Sequence, residues 1–337
     1  MAPLGRSRLP RPDTYAIELG GRHNPMSALD PQGHAPVSTA GFNGRISAVR
    51  LSHAKRFANS ILQLSHALQA AQSLGAQRLH LPHLWFLTPG RLRTADGVEI
   101  IHPPAEAAAA DLCHDDLVLT GGFLRMVALR PLHRRCLPPR RPLRVFRPLL
   151  RLDLQGPPDH PDDLTIHLRS GDVFCDQPPH PLYGQPPLAF YQRVVAAHPW
   201  RRVSLVFEDR LNPVIPALLE WLPGRCAEVA VVNGSLEADL HHLLRARNLV
   251  SGRGTFCCAV AALSRRLQRV YSFDQPFPTW GNRRITTFTC PDRLGHYVAS
   301  VCRDNWIHSP EQRQLMLTYP LEAIDPPRSR DAVTTLP

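Results

Sequence analysis

Apolar residues in this chain follow a helical period and a strand period by turns. The run Ile46-Ser-Ala-Val-Arg-Leu51 fits a strand, and beyond it Phe57, Ile61, Leu64, Leu68 and Ala71 recur at spacings of four and three. That spacing gathers them on one face of a helix, which must pack against something. Gly75 stands where a left-handed C-terminal cap is wanted, and Gln77 to Leu81 reads as the next strand. Together the three pieces predict a βαβ unit.

The second half repeats the alternation. Strands are predicted at Leu164 to Arg169, Val203 to Phe207, Val229 to Val232, Asn248 to Ser251 and Arg269 to Phe273. Helices fall between them: Pro187 to His198, one started by Asn212 and Pro213 and running to Trp221, one capped by Ser235 and running to about Arg247, and Thr255 to Leu267. Strand and helix in strict turn argue an α/β fold with a parallel, doubly wound sheet. The first forty residues lack a period and are rich in Pro, Gly, Arg and His, which predicts a flexible arm over 1–40. Arg125 to Arg151 is dense in Arg and Pro, so an irregular linker between two lobes is expected there. The division is then a first lobe with its linker over 41–155, a second lobe over 156–310 and a C-terminal tail over 311–337.

Charge changes this picture little. The formal net charge is +11, yet Lys55 is the only lysine and the arginines are spread along a chain that also holds 35 prolines. Such a bias reads as composition rather than a basic face, and argues against nucleic acid as a partner. One lysine also leaves little room for Schiff-base or P-loop chemistry, and no Walker-type pattern is present. Eight cysteines show neither a CxxC pair nor zinc-type Cys/His spacing, so buried reduced thiols are expected. Apolar runs fall short of a membrane span and no apolar signal core opens the chain, which predicts a soluble, cytoplasmic protein.

In an open α/β sheet ligands bind beyond the carboxyl ends of the strands, and two features land there. One is Leu164-Thr-Ile-His-Leu-Arg-Ser-Gly-Asp172, which delivers His167, Arg169 and Asp172 into a loop that Gly171 lets turn sharply. The other is Ser251-Gly-Arg-Gly-Thr-Phe256, a glycine turn able to present backbone N–H groups to a phosphate. Singly, the first also reads as a structural ion-pair loop and the second as a tight connection; at one sheet edge they favour a nucleotide or phosphate site. In the first lobe Lys55, Arg56 and Asn59 sit at a helix N-terminus, where spacing alone favours ordinary capping by Asn59 or Ser60 over anion binding.

The stretch Ile166-His-Leu-Arg-Ser-Gly-Asp172 resembles the His-x-Arg-x-x-Asp motif of the GT-B fucosyltransferase superfamily, the α1,2-, α1,6- and protein O-fucosyltransferases. Arg56-Phe-Ala-Asn-Ser-Ile-Leu-Gln63 looks like that superfamily's N-terminal Arg-Phe-Gly-Asn-Gln signature. Asp239 to Phe256 looks like its C-terminal Asp…Leu-Val…Ser-Ser-Phe segment. The resemblance covers roughly 46 to 273. It implies a GT-B-like fold, two Rossmann-like lobes with a cleft between them, and an inverting, metal-independent transfer from GDP-fucose to a glycan, lipid-linked or protein acceptor. It further implies that Arg169 grips the donor diphosphate, His167 contacts the nucleotide, Asp172 braces the loop and Asp239 contacts base or ribose. Gly254, Thr255 and Phe256 would cradle the β-phosphate, and Asn59 with Arg56 would reach the reacting sugar. The chain departs from the pattern at Ser170, where some relatives have a second arginine, at Ala58 for glycine, and at Gly254 for the first serine.

Inversion needs a base for the acceptor hydroxyl, and Asp176, Glu208 and Asp209 are the candidates at strand ends, Asp176 having the better location. No Asp-x-Asp pair of the metal-holding kind is present, and no cofactor or metal is expected. The rival expectations are a related GT-B transferase with another nucleotide sugar and a catalytically silent carbohydrate- or nucleotide-binding protein of the same fold. The arginine-rich surface leaves open loose attachment to a membrane.

Overall fold

A computed structural model describes residues 15–19, 46–106, 117–124, 139–152, 157–175 and 179–329. The chain divides between Leu152 and Asp153 into two units, each built on its own sheet.

The first unit contains β1 (Tyr15–Leu19), β2 (Ala48–Leu51), α1 (Phe57–Leu74), β3 (Arg78–His80), β4 (Gly90–Arg93), β5 (Glu99–His102), β6 (Leu117–Gly121) and a short α2 (Arg140–Leu143). Its sheet runs β1-β6-β2-β3-β5-β4, with β6, β2, β3 and β5 parallel and the two edge strands antiparallel. The predicted βαβ unit is β2-α1-β3. Phe57, Ile61, Leu64, Leu68 and Ala71 are all buried, and Gly75 closes α1 in the left-handed conformation with φ 64°.

Two sequence expectations change here. Tyr15–Leu19, inside the stretch read as an arm, pairs with β6 as an edge strand. The arginine- and proline-dense segment is no open linker over its described part, 139–152. It forms α2 and a 3₁₀ turn at Arg147–Leu149, and it buries Arg140, Leu143 and Phe146. Its apolar residues recur at positions 143, 146 and 149, a helical spacing that the surrounding prolines and arginines obscure.

The second unit holds β7 (Asp163–His167), α3 (Leu188–Ala196), β8 (Arg202–Val206), α4 (Val214–Trp221), β9 (Glu228–Val232), α5 (Leu236–Arg245), β10 (Asn248–Ser251), α6 (Phe256–Leu263), β11 (Arg269–Phe273), β12 (Thr286–Cys290), α7 (His296–Val301), α8 (Pro310–Thr318) and β13 (Arg328–Ser329). Strand order is β13-β12-β11-β10-β7-β8-β9, parallel except for β13. Central strands of such a sheet are covered on both faces, so their side chains are apolar in succession. Leu164 and Ile166 of β7, Val203 and Leu205 of β8 and Val250 of β10 are accordingly buried among Phe190, Val194, Tyr297 and Trp306. Each such side chain contributes roughly 1.5–3 kcal/mol by leaving water.

Residues 311–329, set apart as a tail, belong to this unit: α8 carries a Ser309–Gln312 capping box, and Met316, Tyr319 and Ile324 are buried in the core. The helix expected to reach Leu267 ends at Leu263, because the Ser264 hydroxyl accepts from the N–H groups of Arg266 and Leu267 and turns the chain. Among the described residues no helix is long and apolar enough to cross a membrane.

Candidate functional site

Strand order fixes where this site lies. β7 has its chain successor β8 on one side and β10 on the other. At such a reversal the loops leaving the two strands diverge to opposite faces and open a crevice beyond their carboxyl ends. The loops are Leu168 to Val173 after β7 and Gly252 to Thr255 after β10, the two stretches singled out by sequence. The Gly252 N–H donates to the His167 carbonyl at 3.2 Å, so they touch at their roots.

Arg169 is the centre of this edge. The predicted strand stops at His167, which leaves Arg169 in the loop. Its guanidinium lies 4.1 Å over the Tyr183 ring, and its Nη2 donates to Asp172 at 3.3 and 3.4 Å. Nη1 occupies the space that a Cβ at position 254 would need, and Gly254 has φ +133°, a conformation side-chain-bearing residues avoid. The side chain is 17% exposed, enough to reach a ligand while held on three sides.

The backbone behind Arg169 is held as well. Asn212 Nδ2 donates to the Arg169 carbonyl at 2.9 Å, and the Asn212 N–H donates to Ser170 Oγ at 3.0 Å. Ser170, fully buried, donates to Asp209, which also accepts from the Leu211 N–H at 2.9 Å. This ties the β7 loop to the β8 loop. On the other flank Gln185, also fully buried, accepts from the Arg253 N–H at 3.0 Å and donates to the carbonyls of Tyr183 and Arg253 at 2.8 and 3.3 Å. The Tyr297 hydroxyl donates to the Gln185 carbonyl at 2.7 Å. Three neighbouring segments thus hold one guanidinium, which is preorganisation in a literal sense.

His167 has its ring 5.1 Å from that of Phe256, the first residue of α6. Its Nδ1 is buried without a hydrogen-bond partner among the described residues. Burial, and then the nearby Arg169 charge, pull its pKa down to about 4, so the ring is neutral near pH 7. Thr255 holds the N-cap position of α6 but makes no side-chain cap there.

Glu208, at the end of β8, places its carboxylate against Gly171, whose φ of +60° and missing Cβ make the room. Asp209 is engaged as a brace. Asp176 lies outside the described residues. Asp239 lies buried in the first turn of α5, after β9 and two strands from β7, and its carboxylate accepts from the Gly234 N–H at 3.0 Å. Burial raises its pKa, partly offset by that bond.

In the first unit β2 also stands at a reversal, between β3 and β6. Arg56, exposed, is the N-cap residue of α1 and Asn59 its third residue. Neither Asn59 nor Ser60 caps the helix. Ser60 instead bonds the Lys55 N–H and carbonyl at 3.0 and 2.9 Å, and Gln63 joins the loops after β2 and β6 through His53 and Gly122.

The sequence offers the run His180 to Tyr191, which holds Tyr183 and Gln185, as an acceptor-site lining but favours a plain lead into its helix, and it marks neither these two nor Asn212 as a support of Arg169. Asn212 was legible only as a helix start, since the residue it holds is 43 positions away. Nothing near Gln185 in the sequence signalled its bonds to Arg253, 68 positions away. No family model matches the chain, and comparison with curated proteins finds no match either.

Proposed function

We propose that the crevice at the β7/β10 reversal binds the diphosphate of a nucleotide sugar, and that the protein is an inverting, metal-independent glycosyltransferase of GT-B-like build, GDP-fucose being the donor. The observation that carries this reading is the Arg169 guanidinium, fixed at a strand-order reversal by Tyr183, Asp172, Gly254 and Asn212. When the glycosyl bond breaks, negative charge grows on the β-phosphate, and a planar guanidinium offers two parallel donors to it. The Gly252–Thr255 turn adds backbone N–H groups at the start of α6. Neutral His167 adds no second positive charge and can take part in a hydrogen bond to the nucleotide. In this reading Asn59 and Arg56 serve the reacting sugar, and Asp239 shapes the turn beside the nucleotide. Of the carboxylates after β8, Asp209 is a poor candidate for the base, since its oxygen is committed to Ser170 and Leu211.

A related transferase with another donor and a silent nucleotide-binding protein are the competing readings. One experiment separates them: GDP, UDP and other nucleotide release from a panel of nucleotide sugars by wild type and Arg169→Ala, in chelator. Loss of a preorganised donor of this kind costs about 10²–10³ in rate. Turnover of GDP-fucose that Arg169→Ala loses by that factor, with an unchanged melting temperature, is the expected result. Turnover of a different sugar nucleotide removes the fucose assignment. Binding without turnover by the wild type removes the enzyme.

A further inference from the structure

The opposite edge of the same sheet carries a second concentration of arginine. A concavity of about 580 Å³ lies at the amino ends of β11 and β12, lined by Arg265, Arg266, Arg269, Arg284, Gln268 and Thr286, with Leu267 behind. From Ser264 to Thr286 the chain has five arginines and one carboxylate, Asp274, which stands just past the far end of β11. Among the described residues none of Arg265, Arg269 and Arg284 forms an ion pair with a carboxylate. Arg265, Arg269 and Arg284 are exposed and Arg266 is half-buried, and like charges gathered in this way repel one another.

The turns that carry them are rigid. Ser264, 1% exposed, accepts from the Arg266 and Leu267 N–H groups at 3.1 and 3.0 Å and donates to the Leu244 carbonyl at 3.1 Å. Asn282, 2% exposed, bridges the two arginine-bearing turns. Its Nδ2 donates to the carbonyls of Ala261 and Ser264 at 2.8 and 3.3 Å, and its Oδ1 accepts from the Arg284 N–H at 3.3 Å. The backbones of Arg265 and Arg284 are therefore fixed with respect to each other by one buried amide.

We propose that this concavity is a binding site for a compact anion carrying two or more phosphoryl groups. Each tetrahedral phosphoryl group presents several oxygens to which a guanidinium can donate in parallel, and a dense negative charge relieves the repulsion among four arginines at once. The arginines line a hollow, which suits a compact ligand better than the extended backbone of a nucleic acid. The site lies across the sheet from Arg169 and stands whether or not sugar transfer is the protein's activity. Its ligand is either free in solution or the headgroup of a membrane lipid.

The test is calorimetric titration of the full chain with tripolyphosphate, in an Arg169→Ala background so that the other edge contributes nothing. A parallel arm uses phosphatidylcholine vesicles doped with phosphatidylinositol bisphosphate. Charged hydrogen bonds of this kind imply that Arg265→Ala with Arg284→Ala weakens binding roughly ten- to a hundredfold. Arg283→Ala removes the same charge outside the hollow and should change affinity at most a few-fold, as a screened surface charge does. Tripolyphosphate binding with this pattern assigns a soluble ligand, and vesicle binding alone with the same pattern assigns a lipid headgroup. Equal losses from Arg283→Ala and the double variant overturn the proposal, as does the absence of binding in both arms. Tighter binding of a short DNA duplex than of tripolyphosphate, lost in the same double variant, overturns it in favour of a polymer.

Discussion

At the scale of single residues the site depends on what is missing as much as on what is present. Position 254 has no side chain because Arg169 Nη1 occupies the place, and its φ of +133° is strained for any residue but glycine. Gly254→Ala should therefore displace the guanidinium, and nucleotide-sugar turnover should fall further than the small drop in melting temperature accounts for; unchanged turnover would remove Arg169 from the proposed chemistry. His167 makes a second prediction. Its folded pKa, about 4, is below the ordinary 6.5, so the unfolded chain binds the proton more readily. Stability from this group is complete above pH 6.5 and is lost as pH falls from there towards 4, by roughly 1–3 kcal/mol. Denaturant midpoints of wild type and His167→Phe, taken between pH 7 and 4, should diverge in slope, the variant being the flatter. Parallel slopes would mean that the ring titrates normally.

Elements set these residues in place through hydrogen bonds that run between loops. The N–H of Val214, at the start of α4, donates to Asn212 Oδ1 at 3.0 Å, while the same side chain holds the Arg169 carbonyl. One amide thus starts a helix and fixes the catalytic loop of the proposed enzyme. Asn212→Ala leaves buried partners unpaired and should cost about 1–3 kcal/mol. Turnover should fall as well if the loop's position matters, whereas a stability loss with full turnover would make Asn212 a cap and nothing more. Strand and helix signals were the most legible part of the chain: β10 and β11 fall on the predicted residues, and α5 begins at its predicted cap, Ser235. Elements whose apolar residues are interrupted by proline and arginine, such as α2, or that pair at a sheet edge, such as β1 and β13, gave no periodic signal.

For the molecule as a whole, two units with separate sheets follow from the chain's alternating periods, and the second places β7 and β10 at the centre of seven strands. The central amides are covered on both faces, so native-state hydrogen exchange should find the slowest amides of the second unit in β7, β8 and β10, and faster ones in β9 and β13. Slow exchange confined to the edges would contradict the strand order. The same order sets Arg169 at the carboxyl ends of the strands and four other arginines at the amino ends of β11 and β12. Sequence alone determined that strands and helices alternate and that His167, Arg169 and Gly254 lie at or just past strand ends, because period, turn chemistry and capping act over a few residues. Tertiary structure alone decided that β7 and β10 are neighbours, that Tyr183, Gln185 and Asn212 hold Arg169, and that arginines 265, 266, 269 and 284 face one hollow. Those contacts join residues far apart in the chain, and strand pairing, which no local preference encodes, brings them together.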